Sequence, residues 1–332
     1  MKNQVFVPTV AKFPNDILGS WRIQEPFVQA SYQRGLMLVE LGGIKAVTDE
    51  AGIQIKNLET LKDEYGDTPI VTMLSNTPFE EMDWLHNAAL AANHVRCGIH
   101  FAAVIPIGGR KIVTFHLNSL VTEETFLSKS AEDWRELFDF RIAPMLKDVA
   151  QYAASNGVEL KVETVPVPEY GDWTQENDLS YLGKKVRHLR NPFYLTTYWG
   201  FQQLRRLGLG ICLDLCHNRT IYRAAGQLES HGIIFDDDKY MLSSPSHDLM
   251  TDVLGLLPTD LVHLNDGLGD FTQQGDVFKE GVPLGQGDIE DLREIINHLN
   301  HRKIPFVIEV DEGGDFKNRP GTKASIEYLL KQ

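Results

Sequence analysis

Residues 210–217 read Gly-Ile-Cys-Leu-Asp-Leu-Cys-His. An apolar, β-branched run of this kind suits a buried parallel strand, and it ends on a carboxylate at Asp214 and an imidazole at His217. A buried strand tolerates an acid only where a metal ion, a cation or several hydrogen-bond donors offset its desolvation. The competing reading of this segment alone is an Asp that caps the next helix beside a surface His. Other strand-like runs finish in the same way: His116 closes residues 111–116, Glu163 lies within 158–165, His263 within 260–264, and Glu309 near the end of 304–310. If these ends meet, three acids and three imidazoles converge. Carboxylates gathered in a low-dielectric pocket repel one another unless they are protonated or share a cation. A divalent metal is the simplest solution, and mixed carboxylate and imidazole ligands with room for water suit Mn²⁺, Co²⁺, Mg²⁺ or Zn²⁺ alike.

The elements that must carry these groups follow a repeating order. Strand-like runs at 5–10, 36–41, 69–75, 111–116, 158–165, 210–215, 260–264 and 304–310 alternate with helical patterns. A helix is expected from near Pro78 through Trp84 and Leu90, giving way to a less regular, Gly-containing segment around 97–109. Ser130-Ala-Glu-Asp resembles a helix start, and the amphipathic run behind it reaches Asn156-Gly157. Further helices are expected over 197–207, from 283–288 onward, and over 322–330. Residues 167–194 and 218–259 show no clear periodicity and read as functional or covering loops.

Eight strand and helix units in 332 residues fit an α/β fold: a single (β/α)8 TIM barrel with enlarged βα loops. No composition shift or linker divides it, so residues 1–332 are read as one domain. A doubly wound sheet competes, but no Gly-x-Gly-x-x-Gly follows the first strand.

Bulk properties narrow the partners. A chain that is 42% hydrophobic and 23% charged, with a net charge of −14, is that of a soluble globular protein, and the negative field makes nucleic acid an unlikely partner. The basic cluster from Lys184 to Arg190 reads as a solvated helix face. No apolar run is long enough to span a membrane, and residues 1–8 lack the pattern of a signal peptide, so a cytoplasmic location with no membrane partner is expected. Cys97, Cys212 and Cys216 cannot all pair and are read as reduced, the last two as small buried thiols, with a thiolate ligand the alternative. Lys317, Arg319 and Lys323 near the last helix start mark a place where barrels sometimes bind phosphate. Monomer and homo-oligomer both remain open.

Taken in order, Val39-Glu40-Leu41, Phe115-His116, Val162-Glu163-Thr164, Leu213-Asp214-Leu215-Cys216-His217, Val262-His263-Leu264-Asn265-Asp266, Leu284-Gly285-Gln286-Gly287-Asp288-Ile289 and Ile308-Glu309 resemble the xylose isomerase-like TIM barrel superfamily. The resemblance covers most of the chain. That superfamily includes sugar epimerases, inosose dehydratases and metal-dependent abasic-site endonucleases. By resemblance to its ketose 3-epimerases, Glu163, Asp214, His263 and Glu309 would hold one divalent ion. Glu163 and Glu309 would also exchange protons with a substrate carbon through a metal-stabilised enediolate. His217 would contact a substrate oxygen, and His116 would do likewise or help to bind a second ion. Glu40 is left between substrate binding and a salt bridge.

Two departures qualify the resemblance. Lys279, Glu280 and Gly281 stand where the endonucleases carry an Asp-x-His, and no Arg follows His263 as in the epimerases. The expected function is therefore a metal-dependent isomerase or epimerase of a sugar or related small polyhydroxy carbonyl compound, in carbohydrate metabolism. The alternatives are a sugar or inosose-type dehydratase, an abasic-site endonuclease-like hydrolase and a non-catalytic sugar-binding barrel.

Overall fold

Short runs of Val, Ile and Leu, apolar on both faces, pair side by side in parallel and bend round until the first meets the last. The strands are β1 (Asn3–Thr9), β2 (Tyr32–Leu41), β3 (Ile70–Leu74), β4 (Lys111–His116), β5 (Glu159–Glu163), β6 (Gly210–Asp214), β7 (Leu261–Leu264) and β8 (Phe306–Ile308). They form a closed barrel in which each pairs with its sequence neighbours and β1 pairs with β8. The helices that follow them are α1 (Pro14–Arg22), α2 (Ala51–Glu59), α3 (Ala88–Val104), α4 (Ala143–Ser155), α5 (Tyr198–Arg206), α6 (Leu249–Leu254), α7 (Leu292–Arg302) and α8 (Pro320–Leu330). This computed structural model describes residues 2–9, 13–28, 30, 32–41, 51–74, 82–106, 108–165, 170–171, 179–181, 184–186, 188–193, 198–219, 222, 248–269, 271–272, 275–276 and 279–332. No helix among them is long and apolar enough to cross a membrane.

Period-two alternation divides the core in two and sets the height of the site. Phe6, Met37, Val71, Ile112, Cys212, Leu261 and Val307 form one apolar cluster, separate from the large cluster between strands and helices. It fills the barrel interior, because Val113 and Phe115, one residue out of phase with Ile112, belong to the outer cluster. Moving two residues toward the carboxyl end from Cys212, Leu261 and Val307, and four from Ile112, the inward positions become Asp214, His263, Glu309 and His116. The apolar layer is thus the floor on which the polar groups stand. Register adds the lateral order, with His116 beside Glu163 and Asp214 beside His263.

Three segments differ from the sequence expectation, each for a tertiary reason. The helix expected from Pro78 begins at Ala88 and runs through Val104, so residues 97–104 are helical, not irregular. Gly98 lies within it because a Cβ there would come 2.5 Å from Leu74 Cδ2, a close approach of helix to barrel. Ahead of this helix the buried Asp83 carboxylate accepts the Leu85 and His86 N–H groups at 3.0 Å, holding Trp84 and Leu85 in a turn. The Lys184 to Arg190 cluster lies on strands Lys184–Val186 and His188–Arg190, not on a helix. These belong to a small sheet and a hairpin, so the described parts of 167–194 carry structure of their own.

The third difference is the segment 283–288, which is a turn; α7 starts only at Leu292. The turn is wound round the buried Asp266, whose carboxylate accepts backbone N–H groups of Gly267 (2.9 Å), Gly285 (3.1 Å), Gly287 (3.0 Å) and Ile289 (3.1 Å). A charged acceptor on several donors holds a loop more firmly than neutral bonds would. Gly287 makes this possible, because a Cβ there would lie 2.2 Å from the Gly267 carbonyl oxygen and 2.3 Å from Asp266 Oδ1. The capping box expected at Ser130 is present, with reciprocal bonds to Asp133.

Two glycine substitutions should therefore move stability in opposite directions. Gly287→Ala must push backbone off Asp266 and is expected to destabilise by more than about 2 kcal/mol in urea unfolding. Gly19→Ala, in α1 with nothing within 4 Å of the new Cβ, should be neutral or stabilising by up to about 1 kcal/mol. Equal effects from the two would contradict this account of the turn.

Candidate active site

Glu163 and Asp214 end β5 and β6, His263 is the next-to-last residue of β7, and Glu309 follows β8 directly. One ligand atom from each lies within 4.8 Å of the others. His263 Nδ1 is at the centre, 2.5 Å from Glu309 Oε2, 3.1 Å from Glu163 Oε1 and 3.8 Å from Asp214 Oδ2. The first three side chains are buried, whereas that of Glu309 is 29% exposed and marks the open side.

Asp214 is held from every direction. Its N–H donates to Thr164 Oγ1 at 2.9 Å, its Oδ1 accepts the His217 N–H at 2.9 Å, and its Oδ2 accepts Asn265 Nδ2 at 3.0 Å. The Asn265 Oδ1 accepts the Cys216 N–H at 3.0 Å. Because residues 215–219 are helical and the His217 N–H bonds to its Oδ1, Asp214 caps that turn as well as belonging to the cluster, while His217, 13% exposed, is not the surface residue of the capping reading. Thr164 and Asn265 are functional supports that the sequence reading passed over. The available signal was adjacency: each is one or two residues beyond a cluster member, on the same strand end.

His116 and His217 face each other edge to face, ring centres 6.1 Å apart. His116 Nε2 is 3.2 Å from Glu163 Oε1. His217 Nδ1 is 2.7 Å from the Thr164 carbonyl oxygen, which can only accept, so Nδ1 carries the proton. Its Nε2 lies 3.8 Å from Glu280 Oε2. His116, Glu163 and His217 make a second group of atoms within 4.8 Å. Glu280 was visible in the sequence only as a departure from the endonuclease pattern, because its strand, Lys279–Val282, returns to the mouth by pairing with Asp266–Leu268. Glu40 is the ninth residue of β2, and its side chain lies outside the described residues.

The cysteines divide as expected, except that Cys216 is on the helical turn and not on the strand. Cys212 sits in the barrel floor, its sulfur within 4.8 Å of ligand atoms of Glu163 and His263, and burial pushes its thiol up to about 12. Cys216 donates to the Asp266 carbonyl oxygen at 2.9 Å. Of the basic residues near α8, Arg319 is structural: it binds Asp16 at 2.5 Å and the Pro8 carbonyl at 2.9 Å, while Glu312 accepts the N–H groups of Gly321 and Thr322 at the helix start. That helix end is already neutralised by a carboxylate.

Burial and charge pull the cluster apart electrostatically. Burial pushes Asp214 up to about 6, and the neighbouring Glu309 and Glu163 add to this against His217. Burial alone would raise Glu163 too, but His263 and His116 beside it bring it well below the usual carboxylate range. His263, in turn, is raised well above an ordinary imidazole by its acidic neighbours despite its burial. Glu163 Oε2 and His263 Nε2 are buried without a hydrogen-bond partner among the described residues, while Glu309 Oε2 and His263 Nδ1 lie against each other. Buried acceptors left in this way, around one imidazole, are the donor set a divalent cation satisfies.

A parallel barrel closed by eight strands, with its ionisable side chains gathered at their carboxyl ends, is an α/β barrel with its polar site where such barrels keep their chemistry. The family model for the xylose isomerase-like TIM barrel matches residues 35–332, and the chain belongs to that family. β1 precedes the matched region and completes the barrel. No curated protein matches the chain. Among solved structures it is similar to a D-tagatose 3-epimerase-like protein, at 16% identity and a TM-score of 0.53, over 100% of this chain and 99% of that one. It is also similar to 3-keto-D-glucoside 4-epimerase from E. coli, at 10% identity and 0.55, over 100% of both chains. A third is D-allulose 3-epimerase from Methylomonas sp. in complex with D-allulose, at 11% identity and 0.53, over 100% of this chain and 98% of that one. At these identities the likeness speaks for the fold.

The turn that carries His217 has an anchor of its own. Asn218 Nδ2 donates to Asp252 Oδ2 on α6 at 2.8 Å, and the Tyr222 hydroxyl donates to the same oxygen. Asp252 is fully buried, and burial pushes it up to about 7. The folded protein therefore keeps a proton that the unfolded chain gives up near 3.8. This stabilisation is complete below the unfolded pKa and is lost as pH rises through about 7. Chemical denaturation of the wild type should show stability falling across that window, and Asp252→Asn should flatten the fall. An unchanged slope in the variant would contradict the assignment.

Proposed function

We propose that the chain is a divalent-metal-dependent isomerase or epimerase of a sugar or related polyhydroxy carbonyl compound. The observation that carries the reading is the convergence of Glu163, Asp214, His263 and Glu309 on a space within 4.8 Å, with Glu163 Oε2 buried and without a hydrogen-bond partner among the described residues. A bound Mn²⁺, Co²⁺, Mg²⁺ or Zn²⁺ would supply Lewis acidity that makes a carbon-bound hydrogen beside a carbonyl acidic. The names of the similar structures, two sugar epimerases and one epimerase-like protein, support the same class. We also read residues 1–332 as one cytoplasmic domain, supported by free Cys97, Cys212 and Cys216.

The protein groups divide the remaining work. Glu163 and Glu309 are the acid and base pair: one carboxylate takes the proton from a substrate carbon and the other returns one. Glu163 is steadied by His116 and His263 on one oxygen, which leaves Oε2 for the substrate. Glu309, at the open side, meets solvent and can exchange its proton there. Asp214 and His263 complete the ion's ligands. His217, fixed by Thr164, presents Nε2 to a substrate oxygen.

Metal content by mass spectrometry, on protein purified without chelator, tests the first half of this reading. About one equivalent of a divalent metal is expected in the wild type and little in Asp214→Ala. With that ion supplied, a ketose screen should show isomerisation with solvent deuterium entering the product, and Glu163→Gln and Glu309→Gln should lower kcat at least roughly 100-fold with folding intact. A product lighter by one water would favour a dehydratase, and cleavage of abasic DNA a hydrolase. Sugar binding without turnover, kept by both Gln variants, would favour a binding protein. No metal in the wild type and no rise in Tm with any of the four ions would contradict the reading.

A further inference from the structure

We propose that Glu280 and His217 together clamp one hydroxyl of the substrate, so that Glu280 is a specificity residue of the site. The proposal rests on the polyhydroxy-substrate reading above. Thr164 holds Nδ1 of His217 at 2.7 Å, which leaves Nε2 as the atom turned toward Glu280 Oε2, 3.8 Å away. That separation is too long for a direct hydrogen bond. It is short enough for one oxygen to sit between the two at about 2.8 Å from each. With the proton held on Nδ1, Nε2 accepts as the ionised carboxylate does, so the oxygen must donate, and a hydroxyl can share its one proton between the two acceptors. A phosphate or carboxylate group at the same place would only accept and would meet the Glu280 charge. The clamp therefore selects substrates that present a neutral hydroxyl there.

Glu280 is not a loose surface acid. The strand that carries it pairs with Asp266–Leu268. The next residue, Gly281, has φ of 64°, and its N–H donates to Cys216 Sγ at 3.3 Å while its carbonyl accepts the Asp311 N–H at 2.6 Å. A Cβ at Gly281 would lie 3.2 Å from the Asp311 nitrogen. Cys216 is bonded to the Asp266 carbonyl at 2.9 Å, and Asp266 anchors the turn 283–288. A buried thiol with no part in the proton transfer thus ties the hairpin to the turn bearing His217. The Glu280 side chain is 48% exposed, so the clamp is open to a ligand entering from solvent.

The test is titration calorimetry of Mn²⁺-loaded wild type, Glu280→Ala, Glu280→Gln, His217→Ala and the double Ala variant with D-allulose, D-tagatose and L-ribulose, with metal content measured in parallel. For the tightest of the three sugars, Glu280→Ala is expected to weaken binding roughly 10- to 100-fold, as for a lost hydrogen bond to a charged group. Glu280→Gln, which still accepts from a hydroxyl, should recover most of that loss. The double variant should lose less than the sum of the two single losses, because both partners hold one oxygen. Metal content should equal that of the wild type throughout. Unchanged affinity in Glu280→Ala, or additive losses, would overturn the clamp and leave the isomerase reading standing. A fall in metal content in Glu280→Ala would overturn it in favour of an ion held by His116, Glu163, His217 and Glu280. A wild type that binds Mn²⁺ but none of the sugars would overturn the clamp together with the substrate reading.

Discussion

Carboxylates taken out of water repel one another, and here Glu163, Asp214 and Glu309 are placed within 4.8 Å around a single imidazole, His263. Desolvating several charges in so small a space is among the costliest arrangements a fold can hold without a counter-charge. The protein partly answers it internally, with His263 and His116 on Glu163 and His217 close to Asp214. Two buried atoms of the cluster, Glu163 Oε2 and His263 Nε2, are still left without a hydrogen-bond partner among the described residues. The divalent cation of the proposed function would offset that repulsion and would supply the pocket with Lewis acidity.

The rest of the structure serves to keep that arrangement in place. An apolar layer of Ile112, Cys212, Leu261 and Val307 closes the barrel beneath the ionisable groups and excludes water from below. Above it, rigidity comes from polar anchors rather than packing: Thr164 and Asn265 fix Asp214, Asn218 and Tyr222 fix the following turn through Asp252, and Asp266 gathers four backbone N–H groups from the loop after β7. Positions on strand ends are precise because the strands are, and here a second rank of hydrogen bonds extends that precision into the loops.

Much of this was legible in the sequence, and the reason is local. A strand alternates its faces with a period of two, so an acid or imidazole at the end of an apolar run points into the barrel and stands out there; β4 was readable to the residue at Lys111–His116. What escaped depended on distant partners. Gly98 reads as a helix breaker, yet it lies inside α3 because Leu74 needs the space. Gly285 and Gly287 read as a helix entrance, yet they are donors to Asp266, about twenty residues earlier in the chain. Glu280 carried no local signal, since a hairpin brings it back to His217 from far along the sequence. The side chain of Glu40 and residues 220–221 and 223–247 of the insert after β6 fall outside the described residues, whereas 249–254, read as irregular, form α6.

The central claim is that one divalent ion sits between four named side chains. Crystals grown with Mn²⁺ and measured on both sides of the manganese absorption edge would test it most directly. The account predicts an anomalous peak about 2 Å from oxygens of Glu163, Asp214 and Glu309 and from a ring nitrogen of His263. Ordered side chains with no peak among them, or manganese held elsewhere in the molecule, would contradict it.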